Sequence, residues 1–206
     1  MKPFSTCTIA LASTLALLAP TTYADDLHSG AISEIVSAIN NRPTSVPATA
    51  NIETGFSPDA GAEALVLKVI NAAQHKLRLQ AYSFTSPTVL AALLAARRRG
   101  VDVRVVVDHD SNTSDDRSGK ARHALGALIN AGIPTRTIAA YAIHHDKVII
   151  VDGRHVQTGS FNYSTAAAHR NSENVLVIWN NPALAATYLH HWQSRYDQGQ
   201  DYRPGY

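Results

Sequence analysis

A chain of 206 residues that is 45% hydrophobic can bury one substantial core, but two full domains are not expected. Its 18 basic side chains against 16 acidic ones leave a formal charge of only +2, so any polyanion site has to come from local clustering. The single cysteine, Cys7, excludes a disulfide framework within the chain and a cluster of cysteine metal ligands.

Met1-Lys2, an apolar run from Ile9 to Leu18 and the small-residue site Thr22-Tyr23-Ala24 predict a secretory signal over residues 1–24, cleaved after Ala24. The run is short for a bilayer span, which takes about 20 apolar residues. The protein is therefore expected to be exported, periplasmic or secreted, without stable membrane association after cleavage. Residues 25–55 read as an N-terminal extension or linker. Ile32, Ile35, Val36 and Ile39 recur at helical spacing behind Ser29, and Arg42 to Gly55 shows no periodicity. Residues 56–206 are expected to form the working domain.

From Ser57 the pattern is regular. Ser57-Pro58-Asp59 suits a helix start, with Ala64, Leu65, Leu67, Val69 and Ile70 as its apolar residues. Lys76 to Phe84 alternates as a strand. Ser86-Pro87 opens a helix closed by Arg97-Arg98-Arg99-Gly100, where the arginines favour the negative end of the helix dipole; they suit a phosphate backbone equally well. Val101 to Val107 is a buried strand, His109 to Gly119 a polar loop near the cleft, Lys120 to Ala131 a helix and Ile133 to Ile138 a strand. Ala142 to Val151 and Arg154 to Thr158 are predicted as a hairpin about Asp152-Gly153. A short helix (Asn162 to Ala168), a strand (Asn174 to Trp179) and a closing helix (Pro182 to Tyr196) complete an α/β chain, a mixed sheet sandwiched by helices. Trp179 and Trp192 read as core, and Tyr163 as a rim residue.

The chemistry concentrates between Ile143 and Asn174. His145, Lys147 and Asp152 spell H-x-K-x4-D, Ser160 and Asn162 lie in a G-S-x-N turn, and Glu173 follows. On a strand, His145 and Lys147 share one face while His144 and Asp146 take the other, so His144 is expected to be packed rather than reactive. Imidazole is a competent nucleophile at neutral pH, lysine neutralises phosphoryl oxygens, and a hydroxyl and an amide fix their geometry. Glu173 is expected to accept a hydrogen bond from the second ring nitrogen of His145. The ten histidines show no H-E-x-x-H or similar spacing, so no metal is expected.

H145-x-K147-x4-D152 with G159-S160-x-N162 resembles the signature of the phospholipase D superfamily. A81-Y82-S83-F84-T85, R99-G100-V101-D102-V103, N171-S172-E173-N174 and the ending from H191-W192 to D201-Y202-R203 are similar to the small secreted Nuc-type bacterial endonucleases. The resemblance covers about Gly55 to Tyr206, and the extension Asp25 to Thr54 departs from it. It implies a metal-independent phosphodiesterase that hydrolyses DNA and RNA with little sequence preference through a phosphohistidine intermediate. His145 would be the nucleophile, Lys147, Ser160 and Asn162 the phosphate ligands, Glu173 the orienting carboxylate, and Asp152 a largely structural member of the catalytic motif. One H-x-K motif per chain supplies a nucleophile but no proton donor on the far side of phosphorus, so a two-fold homodimer with facing motifs is expected. The alternatives are a phospholipase D or cardiolipin-type phospholipid hydrolase of the same superfamily, and a catalytically inactive nucleic-acid-binding module.

Overall fold

The run Val105-Val106-Val107 leaves no polar face, so the strand that carries it must be covered on both sides. In the computed structural model, which describes residues 51–205, it is: all three valines are fully buried. The strands are β1 (Asn51–Ser57), β2 (Lys76–Ala81), β3 (Asp102–Asp108), β4 (Thr135–Ile138), β5 (Lys147–Val151), β6 (His155–Gly159), β7 (Glu173–Trp179) and β8 (Gln200–Asp201). The helices are α1 (Ala62–Asn71), α2 (Pro87–Arg98), α3 (His109–Asn112), α4 (Lys120–Asn130), α5 (Thr165–His169) and α6 (Pro182–Gln198).

The eight strands form one sheet in the order β1-β7-β6-β5-β2-β3-β4-β8. β2, β3 and β4 run parallel, and every other neighbouring pair is antiparallel. Leu77, Leu79, Val103, Val105, Ile149 and Val177 face α1, α2, α4 and α5 in one core. The alternate residues Val106, Val148, Ile150, Val156 and Ile178 face α6 through Leu184, Trp192 and Tyr196 in a second. Burying each such aliphatic side chain contributes about 1.5–3 kcal/mol, so both faces of the sheet are anchored. The predicted mixed α/β sandwich is the observed architecture.

Several boundaries differ from the sequence reading. Asn51–Ser57 is an edge strand paired with β7, so an element crosses the expected 55/56 boundary, and α1 starts at Ala62 rather than behind Ser57. Periodicity missed β1 because an edge strand exposes most of its side chains; Ile52 and Phe56 are about half exposed. The expected polar face of β2 is instead covered by α6. Gln80 is buried, and Arg78 is buried over the Trp192 ring with its guanidinium on Asp102. Arg99 lies against the last carbonyls of α1 and so acts as a helix-end residue. The signal and most of the extension lie outside the described residues.

Candidate active site

The antiparallel registers bring the start of β5, the end of β6 and the start of β7 to one edge of the sheet, next to the carboxyl ends of β2 and β3. That edge, beyond the carboxyl ends of parallel strands, is where open α/β sheets place their ligands. Lys147, Gly159-Ser160 and Glu173 therefore converge although 26 residues separate the first from the last.

β5 begins at Lys147 rather than Ala142, so His145 precedes the strand in an irregular segment. The predicted alternation persists across that segment. His144 is buried on the α6 side, while the His145 ring is exposed and meets the Tyr82 ring edge-on at 4.8 Å between centroids. Lys147 is only 5% exposed; its ammonium lies 5.1 Å from the centre of the same Tyr82 ring and donates to the His145 carbonyl at 2.7 Å. One tyrosine thus supports the nucleophile candidate and the cation together. Burial lowers the Lys147 pKa below the ordinary lysine value, while the carboxylates of Asp146 and Glu173 oppose the shift.

Tyr82 is in turn fixed by Asn112. The buried amide of Asn112 donates to the Tyr82 carbonyl at 2.6 Å and to the Asp108 carbonyl at 2.8 Å, and accepts from the Phe84 N–H at 2.9 Å. The segment read as a polar loop thus contains a turn of helix, capped by Asp108, that locks the end of β2. Tyr82 stood within the A-Y-S-F-T stretch of the sequence; nothing local marked Asn112 as its anchor, because the Phe84 and Tyr82 groups it holds lie 28 and 30 residues away.

The G-S-x-N turn is shaped by a close approach. A Cβ on Gly159 would lie 2.2 Å from the Asn174 carbonyl oxygen, so only glycine lets β6 end against β7 here. The Ser160 hydroxyl donates to Glu173 Oε2 at 2.6 Å and accepts from the Asn174 N–H at 3.1 Å. Glu173 Oε1 accepts from the Asn171 amide at 3.0 Å. The expected hydrogen bond from His145 to Glu173 is absent among the described residues: Glu173 holds the serine turn and acts on Lys147 through its charge. Ser160 correspondingly braces the turn with its own hydroxyl. Asn162 Oδ1 is buried without a partner, an unmatched polar atom of the kind folds tolerate at working sites.

Asp152 leaves the cluster. It sits at φ +51° in the turn after β5, five residues beyond Lys147, or about 17 Å at the rise of a strand. Its carboxylate accepts three main-chain N–H groups at the start of β2: Gln74 at 3.0 Å, His75 at 2.9 Å and Lys76 at 2.7 Å. Burial raises its pKa, but these bonds outweigh that and hold it below the ordinary carboxylate value. These contacts suit the largely structural place within the catalytic motif that the resemblance implies for it. The rim position expected of Tyr163 is corrected: it is wholly buried and donates to Gln157 at 2.8 Å. Trp192 is core, with its indole N–H on the Leu79 carbonyl at 3.0 Å, and Trp179 is partly buried.

No group of three or more metal-ligating side chains exists among the described residues. What is gathered is a reachable imidazole, a buried ammonium, an amide and a carboxylate-braced serine turn, a set suited to an anionic substrate that presents an electrophilic phosphorus.

The chain is similar to known proteins. Residues 66–195 match the family model described as cardiolipin synthase, PLD-like domain. The crystal structure of a phospholipase D family member, Nuc from Salmonella typhimurium, superimposes with a TM-score of 0.72 at 49% identity, covering 75% of this chain and 99% of that one. A phospholipase D of Rickettsia prowazekii is 38% identical over 157 residues, 76% of this chain and 73% of its own. A mitochondrial cardiolipin hydrolase of Danio rerio is 33% identical over 147 residues, 71% of this chain and 59% of its own.

Proposed function

Since the chain belongs to the phospholipase D superfamily and is a phosphodiesterase of that group, we propose that its substrate is nucleic acid, DNA and RNA alike, cut with little sequence preference and without a metal. The observation that carries this reading is the match to Nuc: nearly the whole of that chain is covered, at a higher identity than the phospholipid-named relatives reach. Under the reading, His145 attacks phosphorus, a nitrogen–phosphorus bond forms, and the bond to the leaving oxygen breaks. Lys147 and the Asn162 amide hold the phosphoryl oxygens, and Ser160 keeps the turn in shape from its bond with Glu173. The leaving oxygen needs a proton from the opposite side. We assign that to His145 of a second copy in a two-fold dimer, after which water releases the phosphohistidine. Residues 1–24 would direct the protein out of the cytoplasm.

The second reading is phospholipid hydrolysis, favoured by the Rickettsia phospholipase D and the zebrafish cardiolipin hydrolase. One assay separates the two: plasmid DNA, RNA and cardiolipin-containing vesicles, each in excess EDTA, with His145→Ala in parallel. The nuclease reading expects nucleic acid to be degraded by the wild type alone. Hydrolysis of the vesicles with DNA and RNA left intact would transfer the case to the phospholipid reading, and loss of all activity in EDTA would sink the metal-free mechanism. A monomer in sedimentation that retained full activity would exclude the shared site.

A further inference from the structure

Ile143 to Asp146, the segment that carries the nucleophile candidate, belongs to no strand, and among the described residues no main-chain hydrogen bond ties it to another segment. A histidine that must strike phosphorus in line cannot sit on a loose loop, since a misplacement of 1 Å costs on the order of a hundredfold in rate. What holds the segment is side chains. Asp108, at the end of β3, takes the His144 main-chain N–H on Oδ2 at 2.7 Å, while its other oxygen caps α3 through Ser111. His191, on α6, meets Asp146 Oδ2 at 3.0 Å, and the buried His144 ring stands 3.4 Å from the same oxygen. Lys147 holds the carbonyl between them.

We propose that Asp108, Asp146 and His191 are positioning residues: a clamp on the α6 side of the sheet that fixes the main chain on both sides of His145 and so aims its ring. The assignment rests on His145 being the nucleophile, and it extends the working machinery to α6, the layer on the opposite side of the sheet from Lys147. The middle residue of H-x-K acquires a task from it. An acidic side chain at that position faces away from substrate and reaches α6 through His191. The anchors are drawn from separate elements, β3 and α6, so the position of His145 reports on the packing of both cores. Arg195, one turn beyond His191 on α6, adds its charge to Asp146 and helps keep it ionised.

The test compares His191→Ala, His191→Gln, Asp108→Ala and Asp108→Asn in the full chain, with bis(p-nitrophenyl) phosphate as substrate and hydrogen–deuterium exchange as the second readout. That small diester makes no extended contacts, so its turnover follows the aim of the nucleophile. His191→Ala is expected to lower kcat about tenfold at unchanged KM and to speed amide exchange over residues 143–147. Gln, which keeps a donor near the position of Nε2, restores both. Asp108→Asn, which retains an acceptor for the His144 N–H, should likewise outperform Asp108→Ala. His191 is partly exposed, so its variants should fold even where Asp108→Ala does not. Unchanged kcat in His191→Ala, or a Gln variant as slow as Ala, would overturn the clamp. A wild type inert on DNA and RNA yet active on the small diester would overturn the nuclease reading alone.

Discussion

The two ends of β5 use the same device for opposite purposes. At the Asp152 end a carboxylate collects three main-chain N–H groups of the segment entering β2 and presents nothing to solvent chemistry. At the Lys147 end another carboxylate, Asp108, takes the Ser111 N–H on one oxygen and the His144 N–H on the other, and beside the latter stands an exposed imidazole next to a buried ammonium and an unmatched amide oxygen. The H-x-K-x4-D motif therefore joins one chemical end and one structural end across a strand about 17 Å long. A motif read as a catalytic unit is, in space, a site and its distant foundation.

The sharpest way to break that contrast is to truncate each end separately. His145→Ala should lower turnover by at least about a thousandfold with little change in Tm, the scale seen when a covalent nucleophile is removed. Asp152→Ala should do the reverse, lowering stability by about 3 kcal/mol through three lost charge-assisted hydrogen bonds while turnover per folded molecule stays near wild type. Urea unfolding beside an activity assay on the same samples reads both; an Asp152 variant that is stable but inactive would contradict the division.

Gly159→Ala tests the bridge between the strands of the site. The added methyl meets the Asn174 carbonyl at 2.2 Å, so β6 and β7 must part. A loss of about 2–3 kcal/mol is expected, with activity falling as the Ser160–Glu173 bond is displaced; an unaffected Tm would mean that the approach is not tight.

Smaller effects come from pH. Asp152 has a folded-state pKa below its unfolded value near 3.9, so its stabilisation is fully present above about pH 4 and is lost as the pH falls through the folded value. Asp102 and Asp116 are depressed as well: burial works against ionisation in both, and the Arg78 guanidinium and the Ser118 hydroxyl, respectively, lead the groups that outweigh it. Burial also lowers the pKa of His144 and His155, so thermal stability should begin to weaken as the pH falls below about 6.5 and weaken further below about pH 4, with a shallower decline at the acid end in Asp152→Asn. On the alkaline side, the lowered pKa of Lys147 predicts that activity fades before pH reaches the value of a free lysine, about 10.4. Activity persisting through that value would remove Lys147 from phosphate binding.

Much of this was legible in the residues. The valine-rich β3, the glycines after helices and the face-sharing of His145 and Lys147 are local patterns with fixed periods, and they placed the sheet, the layers and the motif. What was not legible depends on pairing across distance. β1 buries no large apolar side chain of its own, since Ile52 and Phe56 stay about half exposed; it is a strand because β7 lies beside it. The hydrogen bond expected between His145 and Glu173 became one between Ser160 and Glu173, because the approach of Gly159 to Asn174 sets where that turn falls. Tyr163, unlike its half-buried neighbour Asn162, lies in the core rather than at the rim, since its hydroxyl has Gln157 to meet.

The claim on which all of this converges is that the exposed ring at the chemical end of β5 becomes covalently bonded to phosphorus. An oligonucleotide labelled with 32P at the scissile phosphate, mixed with enzyme in EDTA and quenched within a turnover, tests it directly. The label is expected on protein, stable to alkali and lost in acid, on the peptide that contains His145, and absent from His145→Ala. Cleavage of the oligonucleotide with no label on protein at any quench time, or with label on another residue, would contradict it.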